Sequence, residues 1–426
     1  MTPSAVYSVD GPGDDANFTA DNQSGGWNVF KKNEGDFIPK LNGRGFLSEE
    51  GVLMATVAEN GRDHGFGVQY GVAEAIVGGA WITSPYSSLS TCEAGPVSAA
   101  GSVELNIDVA TAFFPFAGGW LGGYLRATTI SGKGKVFRGS RRIQLSHVEE
   151  LADGRWRIQI PGVHSLDDGM LFSVGSGDGD NVTAVTPLTF GNGWDLVLRD
   201  SGGDIDQFER HNFSFVFVPY TAKGLTGALI ADDGSTIQSA GSFSMIRLAA
   251  GQYQLSIPNQ TPDSGMLLLN VCGDDQGYPD DNLLSYQKQG NDFIIESRDL
   301  PGLALEDTQF TFAFINYADG IALQPTVSAS AAIAGQNMEF ELHHFTPNST
   351  AHVGFSFATQ PMIPTSAGPL FLTGGFEQIM KVQVDVNGSA HGWIDLPIEA
   401  QGVGIWCQAA DPVSWKLSNY VSFSIE

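Results

Sequence analysis

The residues best suited to chemistry are oxygen-bearing side chains in two glycine-rich loops. "GSGDGDN" (175–181) holds Asp178, Asp180 and Asn181, and "GDDQGYPDDN" (273–282) holds Asp274, Asp275, Asp280, Asp281 and Asn282. Crowded hard oxygens on flexible backbone are what Ca²⁺ takes, since it binds six to eight oxygen ligands. Neither loop has the twelve-residue EF-hand spacing, and solvated acidic turns would use the same residues. Ca²⁺ is therefore the one cofactor the sequence suggests. No G-x-S-x-G elbow, H-E-x-x-H, P-loop or dinucleotide-binding glycine motif occurs, and the eight histidines are dispersed. The expectation is a protein that is not an enzyme, with no catalytic residue to nominate.

Charge narrows the partners. The net charge of −26 repels phosphate backbones and anionic membranes, which argues against nucleic acid as a partner. One segment runs against this trend. "KGKVFRGSRR" (133–142) concentrates Lys133, Lys135, Arg138, Arg141 and Arg142, five of the 21 Lys and Arg residues. It reads as a self-association contact for an acidic surface, either a neighbouring subunit's Asp loops or an anionic polysaccharide. Trp27, Trp81, Tyr86 and Tyr278 lie in polar, Gly/Ser-rich contexts and are candidates for stacking on sugar. Cys92, Cys272 and Cys407 show no C-x-x-C spacing and read as buried thiols rather than a metal or disulfide framework. The longest apolar stretch, 109–125, contains a proline and four glycines, so no membrane span is expected. No basic, apolar leader is visible at the N-terminus of this chain.

The elements that must position these residues recur. "GRWRIQIPGVHSLDDGML" (154–171) returns as "GQYQLSIPNQTPDSGML" (251–267), keeping the glycine, the aromatic, Ile-Pro and Gly-Met-Leu. "FSFVFVPY" (213–220) returns as "FTFAFINY" (310–317), and Arg199-Asp200 returns as Arg298-Asp299. A fainter first copy has "GVLMATV" (51–57) and "IDVATAFFPFAGGWLGGYL" (107–125) at the corresponding places, with an insert between them. Repetition at this period signals tandem modules. The alternation in "RWRIQI" and "QYQLSI" has the period of a half-buried strand, which Ile-Pro then ends. Phe213, Phe215 and Phe217 share one strand face, as do Phe310, Phe312 and Phe314, and these stripes should be core. The recurring Arg-Asp pairs read as structural pairings that fix the turn after them.

The last hundred residues differ, and "VQVDVNGSAHGWIDLPI" (382–397) reads as a hairpin turning at Asn387-Gly388. This block, with "GVGIWCQAADP" and "LSNYVSFSI", resembles a C-terminal β-sandwich module of secreted proteins from environmental bacteria. The "GWDLVLRD" and "NDFIIESRDL" segments are similar to tandem segments of large surface proteins of such bacteria. That resemblance implies an extracellular or cell-surface setting; a virion is the alternative that the lack of a visible leader keeps open.

The expected architecture is all-β, with tandem antiparallel β-sandwich or jelly-roll-like repeats and a C-terminal immunoglobulin-like sandwich. The expected boundaries are 1–130 for a divergent N-terminal copy with its insert, 131–237 and 238–326 for the next two, and 327–426 for the last domain. Repeats that keep packing anchors and let polar surface drift suit a protein that extends or assembles. The expected function is a structural surface protein, self-assembling into filaments or layers and so a homo-oligomer. The alternatives are a carbohydrate-binding or adhesion protein recognising polysaccharide or a cell-surface glycan, a polysaccharide-acting β-sandwich enzyme, or a virion fibre component.

Overall fold

In the computed structural model the chain is all-β, built mainly from antiparallel pairs. The described residues are 109–323 except 128–135, 141, 177–180, 201–207, 274–280 and 300–303, and most of 325–425. Before 109 they are 50–58 and the strands Ser4–Tyr7, Asn22–Gln23, Trp27–Asn33, Asp36–Leu41, Arg44–Gly45, Gln69–Ala75, Trp81–Ser87 and Val103–Glu104. Residues 1–116 with 120–322 form one compact unit, and 323–426 with 117–119 form a second.

Within the first unit the recurring sequence has recurring geometry. Each copy opens with a bulged hairpin. The hairpins are Trp27–Asn33 with Asp36–Leu41, Val148–Ala152 with Arg155–Ile158, and Ser244–Ala249 with Gln252–Ser256. The register slips at the same place in all three, between Lys31 and Asn33, Glu150 and Ala152, and Arg247 and Ala249. A bulge bends the strand and re-aims its side chains, so this shared slip identifies 27–41 as the divergent opening of the first copy. At the hairpin turn Gly154 and Gly251 adopt φ of +66° and +62°. A Cβ there would lie 2.5 Å from the Glu209 nitrogen in one copy and 2.4 Å from the Ser297 oxygen in the other. Glycine is kept because nothing larger fits. After Ile-Pro and Ile-Pro, Gly162 and Asn259 both adopt positive φ, +72° and +59°. The letter changed and the conformation did not, since asparagine tolerates the left-handed region.

The Gly-Met-Leu strands sit innermost. Gly51–Val57, Gly169–Ser176 and Gly265–Val271 pair with Val109–Pro115, Asn212–Pro219 and Phe310–Asn316, with Gly51 opposite Pro115, Gly169 opposite Pro219 and Gly265 opposite Asn316. Each leading glycine lies against an aromatic ring. A Cβ would come within 2.5 Å of Phe113, 2.8 Å of Phe217 and 2.4 Å of Phe314. The phenylalanine stripes face the core. Phe213, Phe215 and Phe217 meet Trp156, Phe137 and Trp194 at ring separations of 5.5, 6.4 and 5.7 Å. Phe310, Phe312 and Phe314 meet Tyr253, Phe243 and Phe293 at 5.1, 5.0 and 5.9 Å. Burying each such ring stabilises the fold by about 2–3 kcal/mol. In the first copy the matching positions are Val109, Thr111 and Phe113, so its stripe is reduced to one ring.

The copies are not separate beads. An eight-stranded sheet joins the outer strands of the second copy (Val148–Ala152, Arg155–Ile158, Trp194–Asp200, Asn181–Pro187) to the inner strands of the third, through a parallel contact of Ala184 with Val271. A second eight-stranded sheet joins the outer strands of the third copy to the inner strands of the first, through Ser285 with Val57. Aligned copy to copy, these two junctions use the same positions. Gln69–Ala75 of the first copy lies beside Gly169–Ser176 of the second. The strand Leu121–Arg126 joins the Phe-rich strand Asn212–Pro219, and Thr226–Ile230 likewise joins Phe310–Asn316. Periodicity reveals which strands recur, but not which copy each one pairs with.

The second unit has a three-stranded sheet (Thr326–Ala329, Asn337–His343, Ala390–Asp395) and a four-stranded sheet (Gln378–Gln383, Thr350–Ser356, Gly404–Asp411, Lys416–Ser424). They share a core that includes Met338, Phe340, Leu342, Val353, Phe355 and Ile405. The expected hairpin through Gly388 is corrected here. Gln378–Gln383 and Ala390–Asp395 belong to different sheets, and the turn, closed by Gly388 N–H on Asp385 O at 3.2 Å, carries the chain from one layer to the other. Alternating strands beside a tight turn look alike in both cases.

Candidate functional surfaces

Of the proposed Ca²⁺ ligands, Asp178, Asp180, Asp274, Asp275 and Asp280 lie outside the described residues. Asn181 begins a strand opposite Asp200. Asp281 is half-buried, and Asn282 is buried, its Nδ2 donating to Ser297 Oγ at 3.0 Å. The described ends of both loops adjoin a cavity of about 60 Å³ between the three copies, lined by Thr56, Ser173, Thr183, Asn270 and Asn282 among others. Its polar groups knit the copies together. Ser173 N–H donates to Asn270 Oδ1 at 2.6 Å, and Leu269 N–H donates to Thr56 Oγ1 at 3.2 Å. Ser173 Oγ and Asn282 Oδ1 find no partner among the described residues. Among the described residues no group of three or more His, Cys, Asp or Glu is gathered as a metal site.

Of the basic segment, Lys133, Lys135 and Arg141 lie outside the described residues. Arg138 is half-buried opposite Tyr124 in its own sheet. Arg142 is exposed, with Nη2 donating to Pro161 O at 3.4 Å.

Of the sugar-stacking candidates, Tyr278 is outside the described residues, as are the side chains of Trp27, Trp81 and Tyr86. By strand register alone, with Phe37 opposite Thr83 as Trp156 is opposite Leu196 and Tyr253 opposite Ile295, Trp81 aligns with Trp194 and Phe293.

The recurring arginines each form an isolated backbone bridge with a residue further along the chain. Arg199 bridges to Phe208 and Arg298 to Leu305. Arg199 lies 4.3 Å from the Phe208 ring centre, a cation–π contact. Arg298 reaches Glu296 at 3.1 Å.

An ion pair that sequence reading missed links the same positions in both copies with its signs reversed. In the second copy Glu150 accepts from Arg210. In the third, Arg247 donates to Asp307 through Nε at 2.9 Å and Nη2 at 2.6 Å. Asp307 also accepts from Gly251 N–H at 2.9 Å and Tyr253 Oη at 3.2 Å. The Arg247 guanidinium foremost holds the Asp307 carboxyl below the usual carboxylate range. Opposite signs at both positions of the aligned copies were the available signal.

Two exposed features remain. The eight-stranded sheets end on Thr236–Ala240 and Ser244–Ala249. These terminal strands expose Ile237 at 48%, Ile246 at 52% and Leu248 at 50%. In the second unit Trp393 is 57% exposed on the outer face of the three-stranded sheet. No helix among the described residues is long and apolar enough to cross a membrane. Comparison with protein-family models, curated proteins and solved structures finds no match to this chain.

Proposed function

We propose that the protein is a non-enzymatic structural component that associates with copies of itself, in the extracellular or surface setting its resemblance implies. In this reading the three sheet-sharing copies form a stiff block, and the second unit is an immunoglobulin-like module carried with it. The observation that carries the reading is the pair of terminal strands at 236–249. An unpaired edge offers a row of backbone donors and acceptors, and proteins that stay apart protect such edges with charge, proline or cover. Here Ile237, Ile246 and Leu248 are left in water among small polar neighbours, while the one cation on these strands, Arg247, is paired with Asp307. Covering three half-exposed aliphatic side chains stabilises a contact by about 2–4 kcal/mol, and strand pairing adds direction. Negative-stain microscopy and light scattering of the full chain test it. Concentration-dependent polymers are expected, and Ile237→Lys with Ile246→Lys should disperse them. A monodisperse monomer at every concentration and salt would refute the reading.

A further inference from the structure

We propose that the outer face of the three-stranded sheet, centred on Trp393, docks the 133–142 segment of a second copy of this chain. The inference rests on the self-associating reading and names one of its contacts.

The face is fixed by alternation. Met338, Phe340, Leu342 and Ile394 point into the core, so Asn337, Glu339, Glu341, His391, Trp393 and Asp395 point out and are exposed. Register sets Glu339 opposite Trp393, Glu341 opposite His391 and Asn337 opposite Asp395. Three carboxylates therefore surround one indole, within the reach of directly opposed and diagonal neighbours. The other titratable groups on the face are His391 and His343, the latter 3.4 Å from Glu341. No Lys or Arg stands at an outward position of Asn337–His343 or Ala390–Asp395. Like charges on one sheet face oppose folding, and an exposed indole gains nothing from water. A cation resolves both, because the ring attracts it through its quadrupole and the carboxylates through charge.

The chain's own supply of cations names the occupant. Copies carrying −26 each repel one another overall, so a contact must use concentrated opposite charge. The 133–142 segment carries five of the 21 Lys and Arg residues, and Arg142 is exposed. An acidic face on one copy and a basic segment on the next make a heterologous contact, which propagates into a filament unless it closes on itself.

Sedimentation velocity of the full chain at 20 and 300 mM NaCl tests it, with three variants: Trp393→Ala, the acid-reversed Glu339→Lys/Glu341→Lys, and the base-reversed Lys133→Glu/Lys135→Glu/Arg141→Glu/Arg142→Glu. Glu339, Glu341, Trp393 and Arg142 are exposed, and circular dichroism reports whether each variant retains the fold. Association should weaken at high salt. Either reversed variant should associate at least about tenfold more weakly, and Trp393→Ala about threefold. Mixing the two reversed variants should restore association in trans, which occupancy within one chain does not produce. Association that ignores all three variants overturns this contact and leaves the edge-strand reading standing. Failure of the mixture to associate overturns the second copy as occupant. Loss on Trp393→Ala together with inhibition by neutral oligosaccharide, but no effect of base reversal, assigns the face to a glycan and overturns it too. A wild-type chain that never associates overturns both readings.

Discussion

Replacing Gly251 with alanine separates backbone conformation from close packing, because a matched control exists in the same copy. Gly251 and Gly290 have nearly the same φ, +62° and +63°. Around Gly290 a Cβ meets nothing within 4 Å, so Gly290→Ala carries only the left-handed penalty, about 1 kcal/mol. At Gly251 the new Cβ would lie 2.4 Å from Ser297 O, 2.6 Å from Glu306 N and 2.9 Å from Glu306 O. Backbone on both sides must retreat. That opens the bond from Glu306 N–H to Ser297 O (3.1 Å) and the one from Gly251 N–H to Asp307 Oδ1 (2.9 Å). At about 1–2 kcal/mol for each disrupted bond, Gly251→Ala should destabilise by about 3–5 kcal/mol in total. For a unit of this size about 2 °C of melting temperature goes with each kcal/mol. Differential scanning calorimetry of the full chain should then show a fall of about 6–10 °C for Gly251→Ala, against about 2 °C for Gly290→Ala. Gly154→Ala should behave like Gly251→Ala, since its Cβ would meet Glu209 N at 2.5 Å. Equal losses at Gly251 and Gly290 would refute the close-packing explanation of why this glycine recurs.

The inverted ion pair makes a second prediction: Arg247→Glu or Asp307→Arg alone should lower the urea midpoint, and the two together should recover part of it, as Glu150 with Arg210 already does in the other copy. Acid should weaken the third copy in a defined window. The folded pKa of Asp307 is depressed, so its contribution is present above the ordinary carboxylate pKa of about 4 and is lost as pH falls through the folded value. Asp307→Asn should therefore flatten the decline in urea midpoint between pH 5 and pH 3, and an unchanged slope would count against the assignment. Burial pushes the Cys272 and Cys407 thiols up to about 12, so both should resist a disulfide reagent at pH 8 in the native chain and react on unfolding; rapid native labelling at either position, read by peptide mass, would contradict their burial.

Chain-local chemistry made much of this architecture readable from the sequence. Alternation in "RWRIQI" and "QYQLSI" specifies strands because side chains alternate faces with period two. The glycine before each of these runs is demanded by a positive φ and by backbone within 2.5 Å. Phe213, Phe215 and Phe217 belong to the core for the same local reason, since three large rings on one face require cover. Candidate-site residues were less readable. The acidic loops were visible as composition, but Asn282 is a buried junction residue beside Ser173 and Asn270, a setting its neighbours in sequence do not announce. Trp393 escaped notice because an outward and an inward position of one strand look alike until the sheet it packs on is known.

What only the tertiary structure decided is partnership across distance. Identical hydrogen-bonding edges do not name their partners, so repetition alone could not say that Ala184 meets Val271 or Ser285 meets Val57. It could not say that two neighbouring strands around Gly388 lie in different sheets. An ion pair can likewise keep its place while exchanging its signs, because attraction depends on the product of two charges and not on which residue carries which. Local sequence set the strands, their faces and their turns. The closing of those strands against one another set which surfaces remain for a partner.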